Sequence, residues 1–386
     1  MVYLLGIPRK KPTKKDVTPM DALEQARAEI DTVDAEMAAL FERRMRAVAD
    51  VVRYKAETGK PVFDAAREAA VLDKNTARIT DEALRPYYRA FLSDAMSISR
   101  AYQRARLGRD TAAYQGVPGA WSHIALRRLF PFARETACTT WGEVFDAVQN
   151  GDAQFGVLPF ENSNAGDVST VLDLLYTHPD IIIARMCDLP IRQDLLGVPG
   201  ATLETVRTVI SHPQALAQSS VFVQQHGFKT STWGNTADAA RHVAELNDPS
   251  VAAIASAETA GLYGLQILSA GINADGDNTT RFIVIERAAA PAMTGEGQRL
   301  ALLFTARHKP GQLAAALDQI GARGFNMECI KSRPLPHVPF EYYFYVQIVC
   351  PAGSTGTGCQ TLLDTLTSVC STLRLLGAFT LDSTEK

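Results

Sequence analysis

The sequence has no surplus of charge, no cysteine pairs and no sustained apolar run, and each absence removes a class of protein. Its 386 residues hold 39 Lys and Arg against 42 Asp and Glu, a formal net charge of −3. A near-neutral chain has no global field to attract nucleic acid or an anionic membrane surface, so neither is expected as a partner. An anionic substrate must then be met by charges placed locally. The six cysteines (Cys138, Cys187, Cys329, Cys350, Cys359, Cys370) form no C-x-x-C, and the seven histidines form no H-E-x-x-H. Such spacing suits neither a zinc site nor a disulfide-stapled secreted domain. No metal and no cofactor are expected, and reduced thiols in the cytoplasm are the default. The weakly charged stretch from Val251 to Ile272 contains Glu258 and three glycines. It reads as strand, turn and helix, because a membrane span needs about 20 predominantly apolar residues. Residues 1–19 are basic (Arg9, Lys10, Lys11, Lys14, Lys15) with no apolar segment behind them, which predicts a flexible tail and not a secretory signal.

What is present is ordinary globular composition, 46% apolar and 21% charged, at a length suited to two or three domains of roughly 100–200 residues. The patterning divides the chain into a helical part (20–108), an alternating strand–helix part (109–288) and a C-terminal part (298–384). A linker around Ala288-Ala289-Ala290-Pro291 precedes the last. No part repeats another.

In the helical part Leu23, Ala26, Ile30, Val33, Met37, Leu40, Arg44, Ala47 and Val51 alternate spacings of three and four. That is a heptad-like seam, the mark of a long helix packed along another. Gly59-Lys60-Pro61 ends it, and two further helices are expected near Asp64–Ile79 and Asp81–Arg106. Arg44 sits inside the apolar seam, where a charge is costly unless it snorkels to water or is paired. Lys55 lies three turns further on the same side; Asp64, Arg67 and Glu68 share one face of the second helix, and Ser99 and Gln103 one face of the third. Arg27 precedes Arg44 by 17 residues, roughly 25 Å of helix, so no small ligand touches both from one chain. Two antiparallel copies would bring Arg27 of one to Arg44 of the other, which points to an intertwined dimer.

The series Arg27, Glu42-Arg43-Arg44, Lys55, Asp64-x-x-Arg67-Glu68 and Ser99-Arg100-Ala101-Tyr102-Gln103 resembles the all-helical chorismate mutase domain. The resemblance implies that Arg27, Arg44 and Arg67 hold the two carboxylates of chorismate by charge-assisted hydrogen bonds. Lys55 and Gln103 would be donors to the breaking ether oxygen, Glu68 the partner of the substrate hydroxyl, and Asp64 and Ser99 supports. The rearrangement is pericyclic, so catalysis must come from conformational restraint and from charge stabilisation at that oxygen.

The middle part predicts strands at Ala153–Leu158, Ile181–Leu189, Val206–Ile210, Val251–Ala255 and Phe282–Glu286. Helices are expected near Val144–Gln149, Val168–Tyr176, Ala215–Gln225 and Ala237–Leu246. This is α/β layering with a mainly parallel sheet, or two small sheets. Its motifs are Gln115-Gly116-Val117-Pro118-Gly119-Ala120-Trp121-Ser122, Glu161-Asn162-Ser163, Ser211-His212-Pro213-Gln214 and Asn278-Thr279-Thr280-Arg281-Phe282. Glycine turns and helix caps would explain each alone. Together they resemble the catalytic domain of prephenate dehydratase. That implies two α/β subdomains like those of type II periplasmic binding proteins, with the site in the cleft between them. By the same resemblance Thr280 donates to the departing hydroxyl of prephenate within a hydrogen-bonded network, positioned by Asn162 and Gln214. Ser163 and Ser211 are further substrate candidates, and Arg281 either meets a substrate carboxylate or braces the motif.

The C-terminal pattern is strand, helix, two strands, helix, strand, the ferredoxin-like split βαβ order. Pro310-Gly311-Gln312-Leu313, Gly324-Phe325-Asn326-Met327 and Ser332-Arg333-Pro334 resemble an ACT domain, the amino-acid-sensing module of such enzymes. The resemblance implies an L-phenylalanine site at a dimer interface, with Gly311, Leu313, Asn326, Ser332 and Arg333 as its candidates. Lys331 stands where the family has Glu, and Gln312 where it has Ala; the change is either surface drift or a weakening of phenylalanine feedback. The whole implies a bifunctional homodimer or higher oligomer that takes chorismate through prephenate to phenylpyruvate. The alternative is a non-catalytic amino-acid sensor with a helical dimerisation domain. A mutase joined to a dehydrogenase is disfavoured, since no G-x-G-x-x-G opens a helix after a strand.

Overall fold

The apolar seam lies on one unbroken helix of 40 residues, α1 (Pro19–Thr58), in a computed structural model that describes residues 19–60, 62–108, 111–274, 276–288, 291, 293–307, 309–336 and 338–382. The basic stretch 1–18, Pro61 and the linker residues 289, 290 and 292 lie outside the described residues. Gly59, at φ +67°, takes the left-handed conformation that closes α1, its N–H bonded to the Lys55 carbonyl. Asp64 caps α2 (Ala65–Thr76), its Oδ1 accepting from the Arg67 N–H at 2.9 Å. A 3₁₀ turn at Glu82–Leu84 leads into α3 (Arg85–Arg106). Val52 of α1 and Met96 of α3 are buried. Further toward the start of α1, Leu23, Ile30, Val33, Met37 and Leu40 remain 42–61% exposed.

The chain divides after Leu107 into two units, each described by itself. The second begins with β1 (Thr111–Gln115), α4 (Trp121–Leu129), β2 (Arg134–Cys138), α5 (Trp141–Asn150), β3 (Phe155–Asn162), β4 (Gly166–Asp167), α6 (Ser169–Thr177) and β5 (Ile181–Pro190). It continues with β6 (Asp194–Gly197), β7 (Thr208–Ser211), α7 (Pro213–Gln218), α8 (Ser220–Gln225), β8 (Lys229–Thr232), α9 (Thr236–Leu246), β9 (Val251–Ala255), α10 (Ala257–Tyr263), β10 (Gln266–Ser269) and β11 (Thr279–Arg287). The last stretch is β12 (Arg299–Thr305), α11 (Gln312–Gly321), β13 (Asn326–Pro334), β14 (Tyr342–Val349), α12 (Gly356–Val369), β15 (Thr372–Phe379) and β16 (Leu381–Asp382).

Two lobes share one strand order. The first is β2-β1-β3-β11-β5, the second β8-β7-β9-β6-β10. In both, the first three strands run parallel, and the fourth and fifth are antiparallel to their neighbours. Of the two expected arrangements, a mainly parallel sheet or two small sheets, the second is present, and both sheets are mixed. The reason is the chain path: it crosses between lobes twice, before β6 and before β11, and each crossing strand enters antiparallel. The helix expected over Ala215–Gln225 is also broken at Ser219, into α7 and α8.

The C-terminal strands form an antiparallel sheet in the order β13-β14-β12-β15, with βαββαβ connectivity. β15 meets β5 at Gly377 and Ile183, so the C-terminal sheet continues directly into the first lobe. Only glycine permits this approach, since a Cβ at residue 377 would lie 2.4 Å from the Ile183 carbonyl oxygen.

Candidate active sites

In the first unit Arg44 does not snorkel to water. Its guanidinium turns to α3, with Nη1 3.1 Å from the Ala95 carbonyl and a hydrogen bond to the Ser99 hydroxyl, and burial lowers its pKa. Gln103, one turn beyond Ser99, is buried with Oε1 unpartnered among the described residues. Lys55 Nζ donates to the Val62 carbonyl at 2.6 Å, next to the start of α2. Burial lowers the Lys55 pKa, against the opposing pull of Asp64 and Glu68. Glu68 is ion-paired with Arg100 of α3, so α2 and α3 are tied across the same face. Arg67 is exposed in the first turn of α2, and Arg27 lies 17 residues, nearly five turns, before Arg44 on the exposed half of α1. The structure bonds Arg44 to Ser99 and sets Lys55 beside the start of α2, and it brings neither Arg27 nor the Arg67 guanidinium to them.

The second unit holds a cavity of about 320 Å³ lined by residues of both lobes. Asn162, Gln193, Gln214, Asn278, Thr280 and His212 supply polar groups, with Trp121, Trp141 and Phe282 as apolar walls. Among the described residues its lining has no Asp, Glu, Lys or Arg. Ala120, Trp121 and Ser122 also line it, at the start of α4, whose N-cap Ala120 offers no side-chain cap. The first N–H groups of that helix are therefore suited to an anion.

Asn162 organises the cavity wall. Its Oδ1 accepts from the backbone N–H groups of Asn164 (3.1 Å) and Ala165 (2.9 Å). Its Nδ2 donates to Asn278 Oδ1 (2.8 Å), Thr280 Oγ1 (2.9 Å) and the Thr279 carbonyl (3.2 Å). With both ends engaged, Asn162 lines the cavity chiefly as a residue that positions its neighbours. Thr280, opposite Asn162 in the β3–β11 register, accepts that bond and keeps its own proton for another partner. His212 Nδ1 accepts from the Gln214 N–H at 3.2 Å, and burial lowers the His212 pKa. The neutral ring then carries its proton on Nε2.

Three further candidates are engaged by the scaffold. Arg281 lies on the opposite strand face from Thr280, by the two-residue alternation of β11. There its Nε and Nη2 bond Asp188 at 2.7 and 2.9 Å, the bracing role that was one of its two expectations. Ser211 is fully buried and donates to the Ile254 carbonyl at 2.6 Å. Ser163 is exposed and accepts from the Thr279 N–H at 3.0 Å, fixing the turn before β11. Conversely, sequence reasoning passed over Gln193, His212 and Asn278 as site residues. His212 and Asn278 stand within the quoted motifs, while Gln193 carries no local signal.

The C-terminal candidates separate in space. Pro310 and Leu313 line a cavity of about 400 Å³ with Arg307, Lys309, Glu341 and Phe344. Gly311, at φ +77°, starts α11, and Asn326 and Ser332 are exposed on β13. Arg333 instead clasps Asp173 of α6 at 3.0 and 2.6 Å, and the Tyr343 hydroxyl donates to the same carboxylate. Lys331 is not at the surface. It is buried, ion-paired with Asp167 and with Glu161 at 3.1 Å, and 4.9 Å from the Phe160 ring centroid. Burial works against its charge, but the two carboxylates prevail and its pKa is raised.

Comparison with known proteins gives two family matches, prephenate dehydratase over residues 112–290 and chorismate mutase type II over 26–104. An arogenate dehydratase/prephenate dehydratase of Arabidopsis thaliana is 33% identical over 284 residues, 70% of this chain and 72% of that one. A bifunctional chorismate mutase/prephenate dehydratase of Enterobacter agglomerans is 29% identical over 379 residues, 94% of this chain and 97% of that one. Among solved structures, the prephenate dehydratase of Arthrobacter aurescens in complex with L-Phe aligns at a TM-score of 0.64 and 27% identity, covering 70% of this chain and 89% of that one. A structure described as a novel type of quorum quenching acylase aligns at 0.65 and 30% identity, covering 70% and 98%.

Proposed function

The chain belongs to the prephenate dehydratase family and carries a type II chorismate mutase region ahead of it, and from that premise we propose which residues carry each step. It is a bifunctional enzyme of phenylalanine biosynthesis that rearranges chorismate to prephenate and converts prephenate to phenylpyruvate. In the first unit Arg44 and Arg67 hold substrate carboxylates, joined by Arg27 of a second copy. Lys55 and the Gln103 amide donate to the ether oxygen as its bond breaks. Glu68 takes the substrate hydroxyl, with Asp64 and Ser99 as supports. The exposed seam Leu23–Leu40 supports a homodimer or higher oligomer built on α1.

In the cleft, the bond to the departing carboxylate breaks and its electron pair moves through the ring. Hydroxide leaves from the opposite carbon and takes up a solvent proton, yielding carbon dioxide, water and phenylpyruvate. Thr280 donates to the leaving oxygen, and Gln214 helps to position the substrate. The observation that carries this assignment is the Asn162–Thr280 bond, which turns the threonine proton away from Asn162 at the wall of an uncharged cavity. A sensor has no need of such a donor. Arogenate carries an ammonium where prephenate has a keto group, and the described lining offers no carboxylate to receive it, which favours prephenate.

The C-terminal region is assigned as an ACT domain binding L-phenylalanine beside Pro310, Gly311 and Leu313, completed by Asn326 and Ser332. The βαββαβ order and the L-Phe complex of the Arthrobacter protein support it. Lys331 is spent on Glu161 and Asp167, so phenylalanine is expected to bind yet inhibit less strongly than is usual for the family. The six unbridged cysteines support a reducing, cytoplasmic setting. No helix of the described residues is long and apolar enough to cross a membrane. The test is to supply chorismate, prephenate and arogenate separately and follow phenylpyruvate and phenylalanine formation. Binding without turnover of any of them would establish the sensor instead. Titrating phenylalanine into the prephenate reaction tests the regulation, and full inhibition at the family's usual potency would contradict the weakened feedback.

A further inference from the structure

We infer that Asn278 is a second catalytic donor, acting with Thr280 on the hydroxyl that leaves prephenate; this rests on the dehydratase function proposed above. The orientation of its amide follows from the backbone. The Asn164 and Ala165 N–H groups must face an oxygen, so they fix Asn162 with Oδ1 toward them and Nδ2 away. That Nδ2 in turn requires an acceptor at 2.8 Å, which sets Asn278 Oδ1 toward Asn162. The Asn278 Nδ2 therefore takes the other side. The residue lines the cleft and is only 1% exposed, and this buried nitrogen has no partner among the described residues. The chain also holds the residue in place from behind, because the Asn278 carbonyl accepts from the Ile191 N–H at 2.8 Å.

A buried donor left unpaired is destabilising, so its presence calls for a partner supplied by the substrate. Two groups of prephenate change charge in the reaction. The departing carboxylate loses its negative charge as carbon dioxide forms, so a donor fixed on it would stabilise the ground state and slow the step. The leaving hydroxyl gains negative charge, and donors fixed there become stronger as the bond breaks. Asn278 and Thr280 are bonded to the same Asn162 nitrogen and line the same cavity, so the two residues stand together at its wall, and both donors are assigned to the leaving oxygen. The electron pair follows the path given above; the amide contributes hydrogen bonds only and transfers no proton.

Asn278→Asp separates this role from a structural one. It keeps an oxygen for Asn162 to donate to and removes the amide N–H groups. The full-length enzyme with this change is expected to lose about 10²-fold or more in kcat on prephenate. Asn278→Ala should lose a similar factor while binding phenylpyruvate as the unaltered protein does, since the product lacks the hydroxyl. Wild-type kcat in Asn278→Asp would reduce the residue to an acceptor for Asn162 and overturn the inference. So would loss of phenylpyruvate binding in Asn278→Ala, which would mean that the residue only shapes the cleft. If the unaltered protein fails to turn over prephenate, the dehydratase assignment itself falls, independently of either variant.

Discussion

The two sites of this chain solve the binding of dianions in opposite ways. The proposed mutase face draws Arg44 and Lys55 from α1 and Asp64 and Glu68 from the start of α2, and it leaves Arg27 and a 42–61% exposed apolar seam without partners among the described residues. The proposed dehydratase cleft has no charged side chain in its described lining, and two of its polar groups, Asn278 and Thr280, are ordered by one amide, Asn162. The difference matches the chemistry. A pericyclic rearrangement gains from fixed full charges that hold a compact conformer. A decarboxylation is slowed by any cation that stabilises the carboxylate about to be lost, so neutral donors aimed at the leaving group serve better.

The sharpest way to break this contrast is Arg44→Ala. We expect it to lower mutase kcat/KM by about 10³-fold, as loss of a bidentate charged anchor does, and to leave phenylpyruvate formation from supplied prephenate unchanged. Separate assays on chorismate and prephenate check it. Next comes the seam: Ile30→Glu with Leu40→Glu should shift the light-scattering mass downward and cost mutase activity about 10²-fold or more, because a dissociated chain lacks the second arginine. Dehydratase activity should survive, and a variant that stays assembled with full mutase activity would show that α1 pairs elsewhere.

Thr280→Val tests the neutral cleft, with an expected fall of about 10²–10³-fold in dehydratase kcat and no change in the mutase reaction. Lys331→Glu brings a third carboxylate to Glu161 and Asp167. Breaking a fully buried pair costs about 3–5 kcal/mol, and the half-exposed carboxylates here reduce the expected loss to about 2 kcal/mol. Denaturant unfolding monitored by the second unit's tryptophans measures it. The smallest effect concerns pH. The Arg333 guanidinium bonded to Asp173 holds that carboxyl below its usual range, with the Tyr343 hydroxyl adding to the effect against burial. A depressed carboxyl contributes stability above its unfolded pKa, near 4. That contribution is lost as pH falls through the lowered folded value. The stability gap between wild type and Arg333→Ala should therefore be constant at neutral pH and close in acid. Since both groups are more than a third exposed, it should stay below about 1 kcal/mol.

Much of the architecture was legible because its signals are periodic. The long first helix, the strand Val251–Ala255 and the C-terminal βαββαβ order appear in the structure where the spacing predicted them. Strands that were passed over are short or polar: β8 reads Lys229-Thr230-Ser231-Thr232 and is exposed throughout, so it shows no alternation. The site was legible by residue type more than by role. Asn162 and Thr280 meet as expected, but Arg281, Ser163 and Ser211 serve the scaffold. Strand alternation alone separates Arg281 from Thr280, yet which face meets the cleft depends on β11 lying between β3 and β5, both far from it in the chain.

Sequence by itself determined the helical, strand–helix and C-terminal patterns, the misplaced Arg44, and the 17-residue gap from Arg27 to Arg44 that no small ligand spans on one helix, since each of these follows from local spacing. Its near-zero net charge hid that 15 Lys and Arg and 15 Asp and Glu of residues 20–108 cancel in sum, while Arg44 turns inward to Ser99 and Arg100 pairs with Glu68. Tertiary structure alone decided that the C-terminal sheet continues into the first lobe, that Lys331 is buried against Glu161 and Asp167, and that Asn278 in the cleft lining keeps an unpaired amide nitrogen. Those outcomes depend on hydrogen bonds and ion pairs between residues far apart in the chain, which no local pattern encodes.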